Sequence, residues 1–206
     1  MKAHVFEQLK IDRMHVAPRA LDLSSRQVRE RFDNIWAPVE ELARRLRPLP
    51  AGLVRFWLEQ RGGHVIIAHY PSRYDVGEES FGRQSLLNVA HVTVSDLARD
   101  SLEALVPVGH LLDHLLGSAG AKGGLWLSDG GGMDSALREV GARVVEFYPL
   151  GYGFDEMACS DPHAYFARSF ALYLYDRRSL NVADPLVEKL LRRTLFSDAF
   201  WHSRKM

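Results

Sequence analysis

The stretch from Leu105 to Gly117 constrains this chain more than any other. Leu105, Val108, Leu112, Leu115 and Leu116 recur at helical spacing, and at about 100° per residue they form one apolar face. Glu103, Pro107, His110, Asp113 and His114 fall on the opposite side. Such a helix needs a core against one face and either water or a polar cleft against the other. Ser95 or Asp96 is positioned to cap it, Gly117 to end it, and Pro107 to bend or split it.

The remaining elements follow from the same reading. Residues 1–22 have little periodicity and fit an arm or a short strand. Ser24-Ser25 opens a helix predicted to run to about Arg47, with Val28, Phe32, Ile35, Trp36, Val39 and Leu42 on its apolar face and a kink at Pro38. The segments Leu53–Glu59 and His64–Ala68 flank Arg61-Gly62-Gly63 and read as a β-hairpin. A polar loop is predicted over 71–85 and a strand over 88–94. After the glycine-rich stretch 117–132 come a helix from Asp134 to about Phe147, a loop over 149–161, a helix opened by Asp161-Pro162 and running to about Tyr175, and a last helix over about 184–196. The expected architecture is therefore α+β. A small, mainly antiparallel sheet packs on the histidine-bearing helix, and the C-terminal half is mostly helical. At 206 residues the chain suits one domain, with 23–94 supplying the N-terminal helix and sheet and 95–206 the histidine helix and those after it.

Charge and composition narrow the function classes. The 26 basic and 26 acidic side chains cancel, and no nucleic-acid partner is expected. Arg44-Arg45-Leu46-Arg47 and Arg192-Arg193 sit among acidic neighbours in helical patterns and read as solvated faces. No apolar run approaches the roughly 20 residues of a membrane span. The start, Met1-Lys2-Ala3-His4-Val5-Phe6-Glu7, lacks a secretory apolar stretch, and Cys159 alone forms no internal disulfide. A cytoplasmic compartment and no membrane partner are the expectations.

His110 and His114 stand one helical turn apart, the spacing by which zinc peptidases bring two neutral imidazoles to one ion. In those enzymes a glutamate follows the first histidine and activates the metal-bound water. Leu111 occupies that position here, and Asp113 points roughly 200° around the helix from it. Taken alone, the pair fits a metal site, the remnant of one, or a helix that carries two histidines.

A different register resolves more of the pattern. Gly109-His110-Leu111-Leu112-Asp113-His114-Leu115-Leu116-Gly117 resembles the segment of lethal-factor-type zincin metallopeptidases that begins at the second histidine of H-E-x-x-H. Downstream, Ala164-Tyr165-Phe166-Ala167-Arg168-Ser169-Phe170 resembles that family's E-[FY]-F-A-E-[AS]-F helix, which supplies the third zinc ligand. The resemblance covers roughly residues 95–198 and implies a zincin-like fold. It makes His110 the second zinc histidine, places Val106 at the first, Pro107 at the catalytic glutamate, Ala164 at the ligand glutamate and Arg168 at a further carboxylate. All four chemical positions are lost, and a guanidinium stands where a divalent ion would sit, which Coulomb repulsion opposes. The resemblance implies a catalytically degenerate domain that binds a peptide or protein, with no cofactor expected, and with Glu103, His110, Asp113, His114 and Arg168 lining its cleft.

Two other readings remain. His163 beside Ala164 offers a substitute donor that, with His110 and His114, would rebuild a zinc site and an active peptidase. Asp129-Gly130-Gly131-Gly132-Met133-Asp134-Ser135 resembles the phosphate loop of ATP pyrophosphatases and would imply nucleotide binding over 130–135. His64, His69 and His91, on strand-like segments, read as structural, and Cys159 as an inert thiol.

Overall fold

The computed structural model describes residues 2–150 and 155–204; part of the predicted 149–161 loop lies outside these. The first 22 residues, expected to be an arm or short strand, form helix α1 (Lys2–Arg13) and strand β1 (Met14–Val16). The predicted helix over 24–47 is two helices, α2 (Arg26–Arg31) and α3 (Ala37–Leu46). Asn34 accepts hydrogen bonds from the Trp36 and Ala37 amides at 2.8 and 3.1 Å, restarting the helix there. Pro38 consequently lies in the first turn, where no intrahelical amide bond is lost, and makes no kink. Arg45, read as part of a solvated face, is buried on α3: it donates to Glu41, Leu97 O and Ser101 O. Glu41, gripped first by Arg44 and then by Arg45, titrates near pH 2.

The segment expected as the first strand of a hairpin is helix α4 (Ala51–Glu59), which buries Leu53, Val54, Phe56 and Trp57. A short apolar run fits either period, and here a tertiary contact accompanies the helix: Trp57 Nε1 donates to Gly63 O at 2.8 Å. Gly63 itself has φ +97°, a conformation that favours glycine. Strand β2 (His64–Ala68) follows. The predicted polar loop contains strand β3 (Arg73–Phe81), joined to β4 (Gln84–Thr93) through Gly82 at φ +61°. The hairpin is therefore β3–β4.

Among the described residues the strands form one sheet in the order β1-β2-β4-β3. β1 and β4 run parallel to β2, and only β3 is antiparallel to its neighbour β4. The sheet is mixed, and the expectation of a mainly antiparallel one is corrected: helical crossovers, which parallel strands require, join β1 to β2 and were partly mistaken for strand. β3 looks like loop in sequence because it is an edge strand, its side chains alternately exposed.

After β4 the predicted long helix breaks. Helix α5 (Val94–Ala98) stops at Arg99, Asp100 takes φ 54°, a 3₁₀ turn covers Leu102–Ala104, and α6 (Val106–Ser118) begins. Pro107 occupies its first turn, so it splits the pattern. α6 passes beyond Gly117 and is capped by Ala119 at φ 55°. Gly117 has another use: a Cβ there would lie 2.4 Å from the backbone of Trp126 and Leu127. Helices α7 (Ser135–Phe147), α8 (Pro162–Ala183), α9 (Pro185–Arg193) and α10 (Asp198–Ser203) complete the fold. α8 runs past the predicted end at Tyr175, but Asp176 interrupts it with φ −149° and ψ 85°, and its carboxylate recaps the continuation at Arg178 and Ser179. One hydrophobic cluster extends from Val5 to Leu195 and joins both halves. No helix among the described residues is long and apolar enough to cross a membrane.

Candidate functional site

Helices α6 and α8 meet at Gly109. A Cβ on this residue would stand 2.6 Å from Ala167 O and 2.8 Å from Ala167 Cα, so only glycine lets the two backbones approach this closely. The contact brings the two sequence motifs to one place. Val106, Pro107, His110, His163 and Arg168 line a single cavity of about 390 Å³, together with Ser72, Arg73, Tyr74, Glu103, Trp126, Met157 and Asp161. Of the predicted polar face of the histidine helix, Glu103, Pro107 and His110 meet a cleft.

Its members behave differently. His114 is fully buried. Its Nε2 lies 3.0 Å from Ala121 O, a pure acceptor, so Nε2 carries the proton and donates. Nδ1, 2.7 Å from the Tyr74 hydroxyl, accepts from it. Both ring nitrogens are engaged, and burial lowers the pKa. His110 lines the cavity with its ring edge-on to Trp126, and burial pushes it down to about 4. It is a neutral imidazole at neutral pH, able to accept or donate one hydrogen bond to an occupant.

Asp113 is not a cleft wall. It is completely buried and accepts from Ser128 N at 2.8 Å and Ser128 Oγ at 2.6 Å. Burial raises its pKa well above the ordinary carboxyl range, against the opposing pull of those two bonds. Asp113 anchors the 3₁₀ turn Leu127–Asp129 to α6, and that turn follows Trp126. The indole lies nearly parallel to His114 on one side, with ring centroids 4.8 Å apart, and to His163 on the other, 4.1 Å apart. His163 Nε2 also pairs with Asp129 at 3.0 Å.

Arg168 is buried between two carboxylates, reaching Glu103 Oε1 at 2.9 Å and Asp155 Oδ2 at 2.7 Å. Burial lowers its pKa, but bonds to Glu103 and Asp155 outweigh this and raise it. Ala164 is buried in the first turn of α8, its amide donating to the Asp161 cap at 2.8 Å.

Sequence reasoning marked Glu103, Val106, Pro107, His110, His163 and Arg168, which the structure brings to one cavity, and also Ala164, Asp113 and His114, which are buried and do not line it. It missed Trp126, Tyr74 and Asp155. No spacing rule announced them, because they come from a strand and loops that only the fold brings near α6. Among the described residues, the trio of metal-ligating atoms within 4.8 Å of one another is Asp75, Glu79 and His91; the His110, His114 and His163 donors do not converge in this way.

The glycine segment after Trp126 closes on itself. The amides of Gly130, Gly131 and Met133 donate to Leu127 O, Trp126 O and Leu116 O, and Asp134 caps α7 at Leu137 while holding Arg204. A phosphate cradle needs such amides free, so the 130–135 loop has the geometry of a helix cap. Compared with family models, curated proteins and solved structures, the chain matches none.

Proposed function

We propose that the chain is a zincin-like domain whose metal site has been dismantled, and that its α6–α8 cleft binds an extended peptide or protein segment without cleaving it. The observation that carries this reading is the convergence of Val106, Pro107, His110 and Arg168 on one cavity. They belong to the two motifs that carry the resemblance, one on α6 and one on α8, while the remaining motif position, Ala164, is buried in the first turn of α8 and does not line the cavity. At three of the four, the side chain neither coordinates an ion nor activates water; Arg168 is locked to Glu103 and Asp155.

The cleft adjoins a natural docking edge. β3 has a strand on one side only, and its first residues, Arg73 and Tyr74, form part of the cavity wall. An extended segment laid along β3 would gain main-chain hydrogen bonds and seat a side chain against Trp126 and Met157. The test is a peptide-array screen followed by fluorescence anisotropy on the tag-free chain. Micromolar binding that Trp126→Ala and Arg73→Ala weaken, with no cleavage and no sensitivity to chelators, supports the reading. Chelator-sensitive cleavage lost in His110→Ala would replace it with the rebuilt peptidase.

A further inference from the structure

We propose that Asp75, Glu79 and His91 form a binding site for a first-row divalent transition-metal ion of the zinc class, which pins edge strand β3 to β4. None of the three lines the α6–α8 cleft, so the site stands apart from the proposed function and does not rest on it.

The geometry starts from an irregularity in the sheet. The register between β3 and β4 shifts between Asp75 and Glu78. Gly77 has φ +107° and Asn88, opposite, φ 57°; the Asn88 side chain accepts from the Gly77 amide at 3.0 Å. Such bulges re-aim side chains, and this one lets Asp75 and Glu79 both reach His91. His91 Nε2 lies 2.8 Å from Glu79 Oε2 and 3.2 Å from Asp75 Oδ2. All three donor atoms fall within 4.8 Å of one another. An ion with bonds near 2.1 Å holds its donors roughly 3 to 3.5 Å apart, so small rotations of the two carboxylates complete the set.

The imidazole is the second indication. His91 is fully buried, whereas the carboxylates are partly exposed and leave the outer side open to water ligands. Its far nitrogen, Nδ1, lies 3.1 Å from the Tyr70 hydroxyl. A ligating histidine characteristically has its other nitrogen held in this way, which fixes ring orientation. One imidazole with two carboxylates suits zinc, cobalt or manganese better than magnesium or calcium, which prefer all-oxygen shells.

Arg73 tempers the site. Its Nε donates to Asp75 Oδ2 at 2.6 Å and its guanidinium lies over the Tyr70 ring. Asp75, Glu79 and Arg73 sum to a single negative charge, so removing the arginine is expected to strengthen binding.

The experiment uses the full chain, purified without an affinity tag and stripped with chelator. Zinc is titrated by calorimetry and cobalt by visible absorption. The expected result is one-to-one binding, weakened at least tenfold by Glu79→Gln and by Asp75→Asn, tightened by Arg73→Gln, and unaffected by millimolar magnesium. His91 is buried, so its replacement tests folding as much as binding, and the two carboxylate variants carry the decision. Absence of stoichiometric binding overturns the proposal and leaves His91 as an ion-paired core residue. So does binding that survives Glu79→Gln, or that disappears only in His110→Ala, which would move the ion to the cleft.

Discussion

The Tyr74 hydroxyl donates to His114 Nδ1 across 2.7 Å, so the edge strand of the sheet is tied to the central helix through a buried imidazole whose other nitrogen already serves Ala121 O. The bond joins two parts of the cleft's surroundings: Tyr74 is part of the cavity wall, and His114 is the ring on which the cavity residue Trp126 stacks.

Tyr74→Phe removes the donor and leaves a buried ring nitrogen without a partner. The expected loss is about 1–3 kcal/mol, read as a lower midpoint in urea unfolding. His114→Gln, which can neither stack on Trp126 nor keep both bonds, should lose at least as much.

Gly109→Ala places a methyl group against the backbone of Ala167, which has no flexible end to move aside. Forced separation of α6 from α8 should cost about 1–3 kcal/mol and lower the melting temperature by several degrees. Calorimetry provides the check, and a variant as stable as the parent would show that the helices are not held this closely.

Asp113 gives a pH signature. Its folded pKa is raised, so its contribution to stability is present in full below the ordinary carboxyl pKa and is lost as pH rises through the folded value. Asp113→Asn keeps a carbonyl for Ser128 N and offers an amide to Ser128 Oγ. The variant should match the parent near pH 4 and exceed it by on the order of 1 kcal/mol at pH 8, as measured by thermal unfolding across that range.

The histidines act in the opposite direction. Arg13, a pure donor, bonds His64 Nε2 at 3.3 Å, which leaves Nδ1–H to donate to His15 Nε2 at 3.1 Å. Burial, then Arg13, then His15, depresses His64 to about 4, and burial lowers His15, His110 and His114. A depressed histidine contributes stability above its unfolded pKa of about 6.5 that is lost as pH falls through the folded value. Stability should decline from about pH 6.5 downward, and His64→Gln should flatten part of that slope by about 1 kcal/mol after allowance for solvent screening. Urea midpoints at pH 7 and pH 5 test this.

How much was legible in the sequence depended on whether a residue's partner was local. Asp134, Asp161 and Asp184 cap α7, α8 and α9 at their own amides, and each start was readable to within a residue. The α6–α8 meeting was readable because two motifs carried it. Leu53–Glu59 was not, since a short apolar run has no period of its own and the sheet decides its role. β3 was hidden by the polarity an edge strand needs. Asp113 and His114 resemble surface groups until Ser128, Tyr74 and Ala121 are brought to them by chain 7 to 40 residues distant. His91, read as structural, is indeed fully buried, but its contacts with Asp75 and Glu79 were not legible because they are made across a bulge.

The stacking of Trp126 between His114 and His163 gives the protein an intrinsic optical gauge. Only four tryptophans are present, and this indole alone is flanked on both faces by imidazoles, whose protonation quenches indole emission. Because the same indole lines the cavity, an occupant seated against it is expected to change its emission, a readout that needs no attached label.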